Sequence, residues 1–170
     1  MAQLQTQLMS QIIENVRKSD LLELLELNES EVPHVGRIDI ERMHWFAENA
    51  DYFRVVRLDE HIVGFLIGLR PGSDYQSPNY RWFCEHHDDF AYCDRIAVAQ
   101  SARGMGIASL LYTDFAQQMP DSVKFLTCEV NILPPNEGSM LFHQRIGFRQ
   151  VGTMSNEAGD KQVAFLLKEL

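Results

Sequence analysis

Apolar and polar positions alternate in two periods along this chain, and the switch between them marks the elements. Leu21, Leu24, Leu25 and Asn28 follow helical spacing while Glu23, Glu26 and Glu29 fall on the other side, which predicts a helix over 21–27 that Ser19 or Asp20 can cap. Pro33 ends it, and a second helix is expected over 40–48 with Asp39 near its start. Residues 11–17 read as a short strand. Residues 52–58 and 62–69 are β-type runs joined by Asp59-Glu60-His61, a hairpin. From Pro71 to about Asp88 no period stands out, which is long for a compact domain and suggests a functional loop. A strand at 90–98, a helix at 104–119 with Ile107, Leu111 and Phe115 on one face, and a strand at 123–130 follow. A helix at 136–146 and strands near 147–154 and 161–168 finish the chain.

That order describes one α/β (α+β) domain with a mixed sheet, two of its helices serving as crossovers. Residues 1–10 are polar and expected to form a loosely ordered lead-in. With 170 residues, 45% of them hydrophobic, the chain can bury a single sizeable core. The 15 Lys and Arg against 24 Asp and Glu leave a net charge of −9, which argues against docking on nucleic acid or an anionic membrane. Three cysteines without a C-x-x-C pair fit a reducing compartment. No signal-peptide pattern or membrane-length apolar run is present, so a cytoplasmic protein is expected.

The candidate chemistry sits first in Arg103-Gly104-Met105-Gly106-Ile107-Ala108, where a strand turns into a helix. Free amides at a helix N-terminus and glycines that admit close approach suit a diphosphate. Two glycines can also serve only to make a tight turn. Neither the G-x-G-x-x-G nor the Gly-Lys-Ser/Thr nucleotide pattern is met. Farther on, Asn136, Ser139 and His143 are spaced i, i+3, i+7 and form a polar stripe on a helix that Gly147-Phe148 closes. Asp94 and Glu129 are charges inside otherwise apolar strands, where an unpaired charge is costly.

These two segments resemble the GNAT superfamily of acetyl-CoA-dependent N-acetyltransferases. The pattern Arg/Gln-x-x-Gly-x-Gly/Ala is met by Arg103, Gly106 and Ala108, and 136–148 is similar to the later Asn-x-x-Ala/Ser-x-x-Leu/Phe-Tyr-x-x-x-Gly-Phe stretch. Residues 77–83 and 128–131 also look like signatures of a bacterial branch of that superfamily, from which no acceptor carries over. The resemblance covers about residues 12–168. It implies a mostly antiparallel sheet of six to seven strands with about four helices, and acetyl-CoA as co-substrate with no metal.

It also implies roles. Ile96, Ala97 and Val98 would meet the acyl and pantetheine groups through a strand bulge, residues 103–108 the diphosphate, and Asn136, Ser139, Phe142 and His143 the rest of the arm. His143 stands where a tyrosine general acid is usual, and an imidazole can still donate a proton to a thiolate or can merely pack there. Glu129 or Asp94 would take the proton of the amine; alternatively Asp94 pairs with Arg95 or Arg103, and Glu129 bonds loop amides. Tyr75, Tyr80 and Trp82 are candidates to wall the acceptor pocket, though Trp82 and Phe83 can equally anchor their loop. The expected function is transfer of acetyl from acetyl-CoA to a primary amine of a small molecule or protein. The competing expectation is a coenzyme-A-binding module without catalysis. A homodimer is implied by resemblance alone.

Overall fold

The computed structural model describes residues 11–170; the lead-in expected at 1–10 lies outside the described residues. The elements are β1 (Ile12–Asn15), α1 (Leu21–Ser30), α2 (Ile40–Asn49), β2 (Tyr52–Leu58), β3 (His61–Leu69), α3 (Pro78–His86), β4 (Phe90–Val98), α4 (Ile107–Gln118), β5 (Phe125–Leu133), α5 (Glu137–Arg145), β6 (Arg149–Ser155) and β7 (Gln162–Glu169). The strands form one sheet in the order β1-β2-β3-β4-β5-β7-β6. Neighbours are antiparallel except β4 and β5, which α4 joins as a parallel crossover. The mostly antiparallel mixed sheet of seven strands is as expected, and the described residues form five α-helices where about four were expected.

Each face of the sheet carries its own core. Ile107, Leu111 and Phe115 of α4 pack on one face with Val56, Leu66 and Leu126. On the other, α1, α2 and α3 set Leu24, Phe46 and Phe83 against Phe65, Tyr92 and Phe165. Two glycines of β3 let α4 seat closely. A Cβ at Gly64 would meet Ile107 Cγ2 at 2.8 Å, and one at Gly68 would meet Phe115 Cε2 at 2.4 Å. That close seat fixes the start of α4 beside the end of β4.

Several expectations are corrected. Residues 78–86 are not an irregular loop but α3, started by the Ser77 hydroxyl, which accepts from Tyr80 N, and by Pro78 in the first turn. The helix after β4 begins at Ile107, not 104, because a 3-10 turn over Gln100–Ala102 and the bend 103–106 come first. The hairpin turn is Asp59-Glu60 alone, with φ 47° and 71°, and His61 belongs to β3. Asp20 does not cap α1 with its side chain. It is buried, accepts from Arg17 N at 2.8 Å and pairs with Arg57 at 2.7 Å.

Candidate functional site

The parallel ladder between β4 and β5 is only three pairs long, ending at Tyr92↔Thr127. Beyond it the strands part, and a cavity of about 530 Å³ passes between them, lined from both faces of the sheet. Cys93 and Cys128 stand at the apex, packed on the α4 side. On the other edge of β4, Arg95 pairs with Ile67 and Cys93 with Gly68, which leaves Asp94 as the extra residue of a β-bulge. The bulge turns two successive side chains, Asp94 and Arg95, toward the α1–α3 side. Arg95 lies over the Phe46 ring at 5.4 Å and reaches Asn28 Oδ1 and Gly36 O. The expected bulge is therefore centred two residues before Ile96, while Ile96, Ala97 and Val98 line the cavity along the unpaired edge of β4.

Two carboxylates face this cavity with different surroundings. Asp94 is held by a guanidinium, with Arg95 Nε at 2.8 Å, and by the Tyr75 hydroxyl at 2.6 Å. Glu129 has only neutral donors. Asn79 Nδ2 lies 3.1 Å from one oxygen and Tyr92 Oη 2.7 Å from the other. Burial above all, then the charge of Asp94, pushes the Glu129 pKa up to about 8. A carboxyl group with a pKa near the working pH is suited to exchange a proton.

At the other end, the bend before α4 presents main-chain donors. Gly104 and Gly106 have φ of 79° and 77°, and open space lies where a Cβ would stand. The amides of residues 104–109 find no acceptor among the described residues. Successive free amides in such a bend, at a helix start, form a concave site for an anion. The residues present thus fit a diphosphate. Met105 is exposed at the tip, and Ile107 turns its side chain into the core; both offer backbone only. Arg103 points elsewhere than expected, its Nη2 meeting both oxygens of Glu31 at 2.8 and 2.6 Å across the cleft.

Along the α5 wall, Asn136 caps the helix by accepting from Ser139 N, and Asn136, Ser139, Phe142 and His143 all line the cavity. His143 is not a free donor. Its Nδ1 lies 2.7 Å from the Ser139 carbonyl oxygen, which can only accept, so Nδ1 carries hydrogen. Nε2 lies 2.8 Å from Tyr112 Oη. Burial lowers the His143 pKa, and the neutral ring takes the phenol hydrogen at Nε2.

The sequence candidates therefore divide. Asp94, Glu129, His143, Asn136, Ser139, Phe142, Arg103, Ala108 and Tyr75 are brought to one cleft. Tyr80 and Trp82 are not and are corrected as acceptor-wall residues. Tyr80 is buried, donates to Arg70 O at 2.7 Å and accepts from Ser73 N, anchoring the loop before α3. Trp82 stacks on Phe165 at 4.3 Å and fills the space over Gly152. Asn79, Tyr92, Tyr112 and Lys161 were missed. A Ser-Pro helix start makes α3 legible and puts Asn79 on its first turn; no sequence signal singles out the other three. Among the described residues no metal-binding cluster forms and no helix is long and apolar enough to cross a membrane.

Known structures share this architecture. Ard1 from Thermoplasma volcanium matches with a TM-score of 0.74 at 14% identity, over 94% of this chain and 97% of that one. Ribosomal-protein-alanine N-acetyltransferase from Brucella melitensis matches with 0.69 at 23% identity, over 94% and 99%. NAA60 from Arabidopsis thaliana, solved with a bisubstrate analogue, matches with 0.74 at 14%, over 94% and 98%. At these identities the likeness speaks for the fold. No curated protein matches significantly by sequence. The profile of the acetyltransferase (GNAT) family matches residues 18–148, most of the chain and both walls of the cleft, and the chain belongs to that family.

Proposed function

We propose that this protein is an N-acetyltransferase that moves the acetyl group of acetyl-CoA directly to a primary amine of a small molecule or protein, in the cytoplasm. The observation that carries the reading is Glu129, a buried carboxyl group with a pKa of about 8 and only neutral partners, set at the split of β4 and β5. Bound acetyl-CoA supplies a thioester carbon open to attack by nitrogen.

Each need of that transfer falls to a residue of this chain. The amides of the 104–109 bend would hold the diphosphate, and the unpaired β4 edge at Ile96–Val98 would hold the arm and donate to the thioester oxygen. Asp94, paired with Arg95 and hydrogen-bonded by Tyr75, is the second carboxylate beside the amine. Glu129 takes its proton, steadied by Asn79 and Tyr92. On the sulfur side, Tyr112 is the donor and the neutral His143 ring positions it. The phenol hydrogen, held toward Nε2 between turnovers, passes to the departing thiolate, and a proton from solvent in the cleft restores the phenol.

Calorimetry with coenzyme A and thiol release across an amine panel test the reading together. Binding with turnover lost in Glu129→Gln supports it. Binding without turnover of any amine points to the non-catalytic binding module instead.

A further inference from the structure

Six charged side chains line the cleft, and four of them cancel in pairs. Glu31 meets Arg103 at 2.6 Å, and Asp94 meets Arg95 at 2.8 Å. Glu129 and Lys161 remain, one at depth and one at the rim. Among the described residues Lys161 takes part in no ion pair. Its sequence neighbour Asp160 is occupied, accepting from Asn156 Nδ2 at 2.6 Å. Asn156 also fixes the Lys161 backbone, accepting its N–H at 3.0 Å and donating to its carbonyl at 2.9 Å. The ammonium therefore rides on a closed turn.

Register places the two charges on one face. Glu129 pairs with Phe165 and Asn131 with Val163, and Phe165 and Val163 pack on the α1–α3 side. Lys161, immediately before β7 and four residues before Phe165, lines the same cavity as Val163 and Glu129, about 13 Å from the level of Glu129 for an extended segment. Part of that gap is spanned by the long lysine stem.

We infer that the acceptor is a primary amine whose tail ends, several bonds away, in an anionic group, carboxylate or phosphoryl: the amine goes to Glu129 and the anion to Lys161. A polyamine would set a second ammonium against Lys161, and the chain's net charge of −9 does not decide the matter because the cleft's other carboxylates beside Glu129 are each paired with an arginine. The inference rests on the proposed acetyl transfer and deepens it.

The test uses four primary amines of one chain length, ending in carboxylate, phosphonate, methyl or a second amine, with the whole protein and its Lys161→Glu variant. Thiol release should give kcat/KM roughly fivefold higher for the anionic tails than for the methyl tail, and lowest for the diamine. Lys161→Glu should reverse that order through KM with kcat little changed. Carboxylate and phosphonate arms rank the two anions. A wild-type preference for the diamine, or an anionic preference that survives Lys161→Glu, overturns the inference. Where no amine turns over, the proposed reaction fails, and calorimetry of the same amines on coenzyme-A-loaded protein still reads Lys161. Equal affinity for all four tails there overturns the inference too.

Discussion

Tyr112 Oη and His143 Nε2 lie 2.8 Å apart, both side chains buried in the wall of the cleft. Neither residue stands free: the backbone carbonyl of Ser139 fixes the imidazole tautomer, and the imidazole fixes the phenol. Tyr112→Phe should lower kcat by roughly 10²-fold if the phenol delivers the proton to sulfur, with coenzyme A affinity nearly unchanged by calorimetry. His143→Ala should lower kcat as well and also stability, by about 1–3 kcal/mol, because it leaves the buried phenol without an acceptor. Equal kcat in Tyr112→Phe and wild type removes Tyr112 from the chemistry.

Glu129 sets the pH dependence. Its pKa of about 8 lies above the ordinary carboxylate value, so kcat/KM should rise with pH up to about 8 as the base form fills. Glu129→Gln should lose roughly 10²-fold and that limb of the profile. Between the unfolded value and about 8 the folded chain holds a proton that the unfolded chain has released. Stability therefore falls as pH rises through that window. Melting curves of Glu129→Gln should lack this slope.

Arg103 is held by Glu31, at the end of the first helix, rather than standing free over the bend. Glu31→Gln should release it toward the diphosphate and tighten coenzyme A binding by roughly two- to fivefold, most at low salt. Arg103→Ala should abolish the effect of the Glu31 change. Isothermal titrations of the three variants at two salt concentrations check both statements.

Gly106→Ala puts a side chain at φ 77°, a conformation that costs an L-residue about 1–2 kcal/mol. No atom obstructs the new Cβ, so the loss should appear as a modest fall in melting temperature and a larger fall in coenzyme A affinity. Gly68→Ala has the opposite signature. Its Cβ would overlap the Phe115 ring, costing about 1–3 kcal/mol of stability and, through the displaced α4, affinity as a consequence.

The helix over 40–49 was legible because one face is buried at helical period, and the strand over 90–98 because a mostly apolar run suits a central strand covered on both faces. The 103–108 bend and the α5 stripe were legible because glycines and polar residues interrupt an apolar period. The 71–88 stretch misled because α3 is buried by aromatic contacts on one side and exposed on the other in only nine residues, too few for a clear period. Tyr92 and Tyr112 were invisible for a different reason. Each reads as ordinary core, and only the partnering of its hydroxyl with Glu129 or His143, 37 and 31 residues away, makes it polar machinery. Lys161 reads as a surface charge until the hairpin register brings it above the cleft.

The three-pair seam between β4 and β5 has a mechanical consequence. Among the described residues four strands and three α-helices precede it and three strands follow it, so those few rungs, the packing of α4 and the aromatic contacts of α3 with Phe165 couple the two halves of the sheet. A ligand lying in the split touches both halves at once and acts as a wedge and a rivet together. Amides of β4 and β5 near Tyr92 and Thr127 should then exchange with solvent more slowly once it is filled, while those of the outer strands keep their rates.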